Sequence, residues 1–216
     1  MKCSAIVVAG GSGTRYGSHK QFAALGGKTV AAWSVEQCRG VADQVILVVP
    51  AGMTNNAYGA DLVVEGGPTR SESVRAGLAL VADESEYVVI HDAARPLASE
   101  RLFFAVVAEL ADDSVDGAIP GIAVVDTIKE VEENGTRTRA IATLDRSALV
   151  AVQTPQAFRL SALRAAHAKG GDATDDSALV EANEGVVVVI NGEDDNIKLT
   201  AESDLALLER ILEERA

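Results

Sequence analysis

Three short stretches gather the residue types that phosphoryl chemistry needs. Residues 9–22 read AGGSGTRYGSHKQF. Glycines there let the backbone pass close to a ligand and turn N–H groups toward phosphate oxygens. Arg15 and Lys20 add two fixed positive charges to the same loop, the charge a reacting phosphate needs neutralised. The loop is not a Walker A loop, which carries GK[ST] directly before a helix, nor a clean GxGxxG. Residues 91–96 read HDAARP. An acid in Asp92's place can reach a magnesium ion or a ribose hydroxyl, and Arg95 can grip a phosphate with two parallel N–H groups. His91 reads as a structural, hydrogen-bonding histidine. Residues 66–73, GGPTRSES, place two glycines before a serine-started helix, a resting place for a base or a ribose. Lys198, in DDNIKLT, is either solvated or a further phosphate contact. His19 either touches substrate or is solvated, and His167 is expected at the surface.

These loops need strands to carry them. Short apolar runs recur at 5–9, 45–49, 61–64, 87–90, 117–119 and 186–190, each read as a strand, and the first suits one buried on both faces. Helical spacing fills the gaps at 71–82, 99–110, 161–168, 175–182 and 201–215. Ser71, Ser99 and Thr200 are the expected caps. Strand–helix alternation predicts a mostly parallel sheet with helices on both faces. In such sheets ligands sit at the carboxyl ends of strands, where the glycine loop and HDAARP fall. One segment breaks the alternation. Residues 124–143, VVDTIKEVEENGTRTRAIAT, alternate polar and apolar types around Asn134-Gly135, the strongest short hairpin signal. That hairpin is either a solvated surface feature or an arm for a partner subunit.

The totals bound the function. The 216 residues fit one domain, 1–216, with an arm inserted at about 124–146. A net charge of −13 disfavours general nucleic-acid or membrane binding. It also means that a nucleotide must be met by local cations, backbone N–H groups or a metal. Cys3 and Cys38 are far apart and form no CxxC, which fits reduced thiols in the cytoplasm. The first nine residues are too short for the apolar core of a signal peptide, and no run approaches the roughly 20 residues of a membrane span.

Taken in order, AGGSGTR, KQF, GGPTRSESV, HDAARP, DTIK, LDRS, TPQAF, ATDDS and DNIKLT resemble the 2-C-methyl-D-erythritol 4-phosphate cytidylyltransferases from about residue 5 to 208. The resemblance implies a Rossmann-like α/β fold whose hairpin is a dimerisation arm, a homodimer, CTP and Mg²⁺. It implies that Arg15 and Lys20 are catalytic. It assigns Gly10, Gly11, Ser12, Gly13 and Lys198 to the triphosphate, Gly67, Ser73, Asp92 and Ala93 to the cytidine end, and Ala9 to the nucleotide as a whole. Asp92 is also the implied metal ligand. Arg95, Thr127, Thr174 and Asp175 would meet the methylerythritol phosphate, and Arg146 would reach the phosphate held by the other subunit. The chain departs from the family pattern in a segment between Arg15 and Lys20 about two residues shorter, in His19 where a proline is usual, and in Pro68 after Gly67.

Rival readings follow from the same motifs. Ribitol-5-phosphate cytidylyltransferases are similar through the loop, HDAxRP and NIK, but the second alanine of HDAARP, LDRS and TDDS lean toward methylerythritol phosphate. A non-catalytic nucleotide-binding protein would be expected to lack Arg15, Lys20 or Asp92. An NAD-dependent oxidoreductase would want an acid after the second strand, where Val49-Pro50 stands.

Overall fold

The computed structural model describes residues 2–10 and 19–215. Gly11, Ser12, Gly13 and Arg15 therefore lie outside the described residues. The strands are β1 (Cys3–Val8), β2 (Ala24–Leu25), β3 (Lys28–Thr29), β4 (Gln44–Val49), β5 (Leu62–Glu65), β6 (Tyr87–Asp92), β7 (Gly117–Ala123), β8 (Lys129–Asn134), β9 (Arg137–Thr143), β10 (Val150–Val152), β11 (Gln156–Arg159) and β12 (Val187–Asn191). The helices are α1 (Val30–Cys38), α2 (Arg70–Leu78), α3 (Glu100–Glu109), α4 (Leu160–Ala168), α5 (Asp176–Ala182) and α6 (Ser203–Arg215).

β1 is central, with β4 and β6 parallel to it on either side and β5 parallel outside β4. β11 runs antiparallel between β6 and β7. β12 lies parallel along β7, and the short β10 pairs antiparallel with the end of β7. The sheet is thus mostly parallel, with two antiparallel strands that no apolar run announces. Period-2 alternation sorts the strand residues onto two faces. Ala5, Val7, Val45, Leu47 and Val89 pack with Ala31 and Val35 of α1 and Phe103 and Val106 of α3. Ile6, Ile46, Val48, Val88 and Ile90 pack with Val74 of α2, Leu163 of α4 and Val180 of α5. A third cluster joins Leu208 and Ile211 of α6 to Leu25, Leu97 and Leu199, below the loop that follows β6. Each fully buried Leu or Ile in these clusters is worth about 1.5–3 kcal/mol.

Several expected boundaries move. Helix 71–82 starts a residue earlier and is capped by Thr69, not Ser71, because Glu72 at N3 reciprocates in a capping box. It ends at Leu78. Ser99 caps α3 as expected. The last helix begins at Ser203 rather than 201, and Asp204 reaches back to accept from the N–H groups of Thr200 and Ala201 at 2.7 and 2.8 Å. No element is expected at 30–38, yet α1 forms there, with Thr29 capping the N–H of Ala32 and residues 30, 31, 34, 35 and 38 buried at helical spacing. His167 is buried rather than at the surface, 4% exposed and bound to Asp176. The hairpin forms from β8 and β9, and every residue of both strands is exposed in this chain. Its turn is Gly135-Thr136, with Asn134 paired to Arg137 and Gly135 at φ 61°, the left-handed region such a turn needs. No helix among the described residues is long and apolar enough to cross a membrane.

Candidate functional site

The carboxyl ends of β1, β4 and β6 open on one region of the sheet's edge. Ala9 follows β1, and its N–H donates to Val48 of β4 at 2.8 Å. Gly10 comes next, and a Cβ placed on it would sit 3.0 Å from Ser73 Oγ. A Cβ on Gly66 would sit 2.6 Å from the same oxygen. Ser73 Oγ donates to Thr69 O at 2.9 Å and lies 3.3 Å from Gly67 O. Ala9, Gly10, Gly67 and Ser73, all expected at the nucleotide, therefore lie together, and glycine is what lets the backbones approach. Lys20 starts a 3-10 turn, Lys20–Phe22. The buried Gln21 ties that turn to the end of β1 by donating to Ala9 O at 2.6 Å.

β6 delivers His91 and Asp92. His91 is fully buried, and its ring lies 5.0 Å from that of Phe103. Its Nε2 is 3.0 Å from Arg95 O, which can only accept, so Nε2 carries the proton. Its Nδ1 then accepts from the Thr154 hydroxyl at 3.1 Å. Thr154 Oγ1 in turn accepts from Asp92 N at 3.0 Å. Burial pushes the imidazole down to about 4, so it is neutral at pH 7. The structural role expected of His91 is what these contacts give it.

Asp92 Oδ2 accepts from Lys198 Nζ at 2.5 Å, and its Oδ1 lies 3.7 Å from Arg70 Nε. Burial raises this carboxyl, but the Lys198 ammonium, then Arg70, outweigh it and hold it well below the usual carboxylate range. Asp92 is therefore an anion set between cations. Lys198, though exposed, is thus ion-paired to Asp92 at the end of β6. The segment carrying it is held by Leu199 N donating to Ala94 O at 2.8 Å and by the buried Asn196, whose Nδ2 donates to Thr154 O at 2.9 Å. Ala93 N donates to Val8 O at 3.0 Å, and its own O accepts from Ser34.

The acceptor-side residues are less tightly joined. Arg95 Nη1 donates to Asn196 O at 2.6 Å, while its buried Nε has no partner among the described residues. Asp175 caps α5 and accepts from Gln156 Nε2 at 3.0 Å. Thr174 is exposed beside it. Thr127 and Arg146 are exposed near the base of the hairpin, and Arg146 Nη1 donates to Val125 O. Three residues missing from the expected site lie against it. Arg70 flanks Asp92, Thr154 bridges the His91 ring and the Asp92 N–H, and Asn196 joins the Lys198 segment to Arg95 and Thr154. Arg70 sits within GGPTRSES and Asn196 within DDNIKLT, so the only signal was their place in those loops.

A fit to a divalent ion can be read from Asp92. No group of three His, Cys, Asp or Glu among the described residues could enclose a metal. Asp92 Oδ1 accepts no hydrogen bond among the described residues. One carboxylate with an open oxygen suits Mg²⁺, which keeps several waters and takes further ligands from substrate phosphates.

The family model for 2-C-methyl-D-erythritol 4-phosphate cytidylyltransferase, IspD, matches residues 3–214. The chain belongs to that family. A 2-C-methyl-D-erythritol 4-phosphate cytidylyltransferase of Rhodococcus opacus (strain B4) is 43% identical over 221 residues, covering 98% of this chain and 96% of that protein. A bifunctional enzyme IspD/IspF of Clavibacter michiganensis subsp. michiganensis is 40% identical over 223 residues, covering 96% of this chain. It is covered over 53% of its own length, so the chain spans about half the length of such bifunctional relatives. The crystal structure of 2-C-methyl-D-erythritol 4-phosphate cytidylyltransferase from Thermus thermophilus superposes with a TM-score of 0.82 at 33% identity over 98% of both chains. The expected α/β fold and the resemblance agree with this IspD-family assignment.

Proposed function

We propose that this IspD-family chain joins CTP to 2-C-methyl-D-erythritol 4-phosphate, releasing pyrophosphate. A phosphate oxygen of the acceptor forms a bond to the α-phosphorus of CTP, and the bond from that phosphorus to the β-phosphate oxygen breaks. The nucleophile is already anionic, so no general base is needed, and catalysis is positioning plus charge stabilisation. The single observation that carries the reading is the meeting of Gly10, Gly67 and Ser73 beside Asp92 and Lys198, in a chain of that family. Gly67 and Ser73 would receive the cytidine end and Gly10 the triphosphate, with Ala9 and Ala93 as backbone neighbours. Lys198, Lys20 and Arg15, with the backbone of Gly11, Ser12 and Gly13, would receive the triphosphate. Asp92 would hold Mg²⁺, and the chemistry such an ion supplies is neutralisation of phosphate oxygens. Arg95, Thr127, Thr174 and Asp175 would meet the acceptor.

The working protein is proposed to be a cytoplasmic homodimer. Val125, Val131, Ile141, Leu144, Val150 and Val152 are exposed along the hairpin and its base, an apolar surface that a second copy would cover. Arg146 sits at that base and would reach the neighbour's acceptor phosphate. Cys3 and Cys38 are both buried free thiols, as a reducing compartment allows.

The test is pyrophosphate release with CTP and Mg²⁺, given either methylerythritol 4-phosphate or ribitol 5-phosphate. Release with the first alone is expected. Release with the second alone would move the chain to polyol-phosphate metabolism and overturn the acceptor.

A further inference from the structure

Arg70 lies between two carboxylates at unequal distances. Its Nη1 donates to Asp176 Oδ2 at 2.7 Å, while its Nε is 3.7 Å from Asp92 Oδ1, too far for a hydrogen bond. Asp176 is fully buried at the start of α5. Its other oxygen lies 2.9 Å from Nε2 of the buried His167 on α4. A carboxylate oxygen can only accept, so His167 Nε2 donates. Two further bonds fix this junction. Ala173 N donates to Ser71 Oγ, and Arg75 Nη1 donates to Gly171 O, each at 3.1 Å. The start of α2 is thus held against the segment that leads into α5.

An arginine beside a lone carboxylate closes on it, and a two-pronged pair covers both oxygens. Here Lys198 already occupies Asp92 Oδ2. If Arg70 closed by about 1 Å, Oδ1 would be covered as well. What opposes that closure is Asp176, the nearer and more buried partner. We infer that Asp176, backed by His167, is a positioning residue of the nucleotide site: it holds the Arg70 guanidinium off Asp92, so that Oδ1 stays open to a ligand. This rests on the proposed reading that the ligand is CTP, bound through a cation or through a sugar hydroxyl.

The test compares CTP dissociation constants by titration calorimetry with kcat and KM, with a melting curve for each variant. In Asp176→Asn the freed Arg70 closes on Asp92, and the dissociation constant and KM for CTP rise about tenfold while kcat stays within about threefold. Adding Arg70→Gln to that variant removes the closing group and brings CTP binding back to within about threefold of the parent. A merely structural Asp176 would give a double variant no better than the single one, and that result, or unchanged CTP binding in Asp176→Asn, overturns the inference. Should Asp176→Asn fail to fold, Arg70→Gln alone decides. Binding within about threefold supports a guanidinium held in reserve, and a tenfold loss makes Arg70 itself a ligand and overturns the inference. Titrations with and without Mg²⁺ separate the two sources: a rise seen only with Mg²⁺ means that Oδ1 serves the ion, and an equal rise in both means that it serves a hydroxyl. No CTP binding by the parent chain would instead sink the proposed function.

Discussion

At the residue scale the site is a small set of charges held by specific partners. Lys20 and Arg15 are the cations proposed to meet the reacting phosphate. Replacing either with Ala should lower kcat by about 10²-fold or more, if each supplies roughly 3 kcal/mol to the transition state. Steady-state turnover checks this, and near-normal turnover would remove the role. His91 makes a pH prediction. The folded protein holds it neutral with its value pushed down to about 4, whereas an unfolded histidine titrates near about 6.5. Between those values the unfolded chain binds the extra proton, so acidification draws the equilibrium toward unfolding. Stability should fall from about pH 6.5 to pH 4, by up to roughly 3 kcal/mol from this one buried group. Asp92 adds loss at lower pH. Its folded value is depressed, so its contribution is present above the unfolded value of about 3.9 and is lost as pH falls further. Urea denaturation across this range should show a shallower fall for His91→Asn between pH 6.5 and 4; an unchanged slope would count against the buried neutral form.

At the element scale, helix α2 links the sheet to the glycine-lined end of the site. Its capping box joins Thr69 and Glu72, and Ser73 on its first turn faces Gly10 and Gly66. Thr69→Ala should cost about 1 kcal/mol, read from chemical denaturation. Further along, Gly77 packs against β1. A Cβ there would lie 2.6 Å from Ile6 Cγ2 and 3.2 Å from Val48 Cγ2. Alanine should gain about 1 kcal/mol in helix propensity, but crowding in a packed core costs about 1–3 kcal/mol. Gly77→Ala is therefore expected to be destabilising on balance, and a raised melting temperature would show that α2 can shift outward.

At the scale of the whole molecule, two features are proposed to be completed by a second copy of the chain. The hairpin carries no core residue of its own chain, and its apolar positions are exposed. Cutting 129–143 to a short turn should convert the proposed dimer to a monomer in light scattering, close to the 22.4 kDa of a single chain. An unchanged mass would return the hairpin to a solvated surface feature. Arg146→Ala should raise KM for the acceptor more than KM for CTP, because its phosphate contact is proposed to cross the subunit boundary. Equal effects on both would argue against that geometry. The net charge of −13 sets the background, in which a few cations define where a nucleotide can approach.

Much of this was legible from residue order alone. The apolar runs of β1, β4, β6 and β12 are β-branched segments whose pattern needs no partner to be read. The glycines, Lys20, Asp92 and Lys198 stood out because few side chains suit phosphate and metal chemistry, and their loops follow strands. β10 and β11 could not be read, since QAFR and VAV become strands only by pairing with β6 and β7. α1 was readable from its cap and spacing, and shows that a short helix rich in alanine is easily passed over. Tertiary structure alone decided the partners of charge. His167 and Asp176 are nine residues apart, but Arg70 and Asp176 are separated by 106, as are Asp92 and Lys198. No local period encodes such pairs. They exist because the sheet carries α2, α4 and α5 on one face and brings its strand ends to a common edge, where burial makes each unpaired charge costly and so selects its partner.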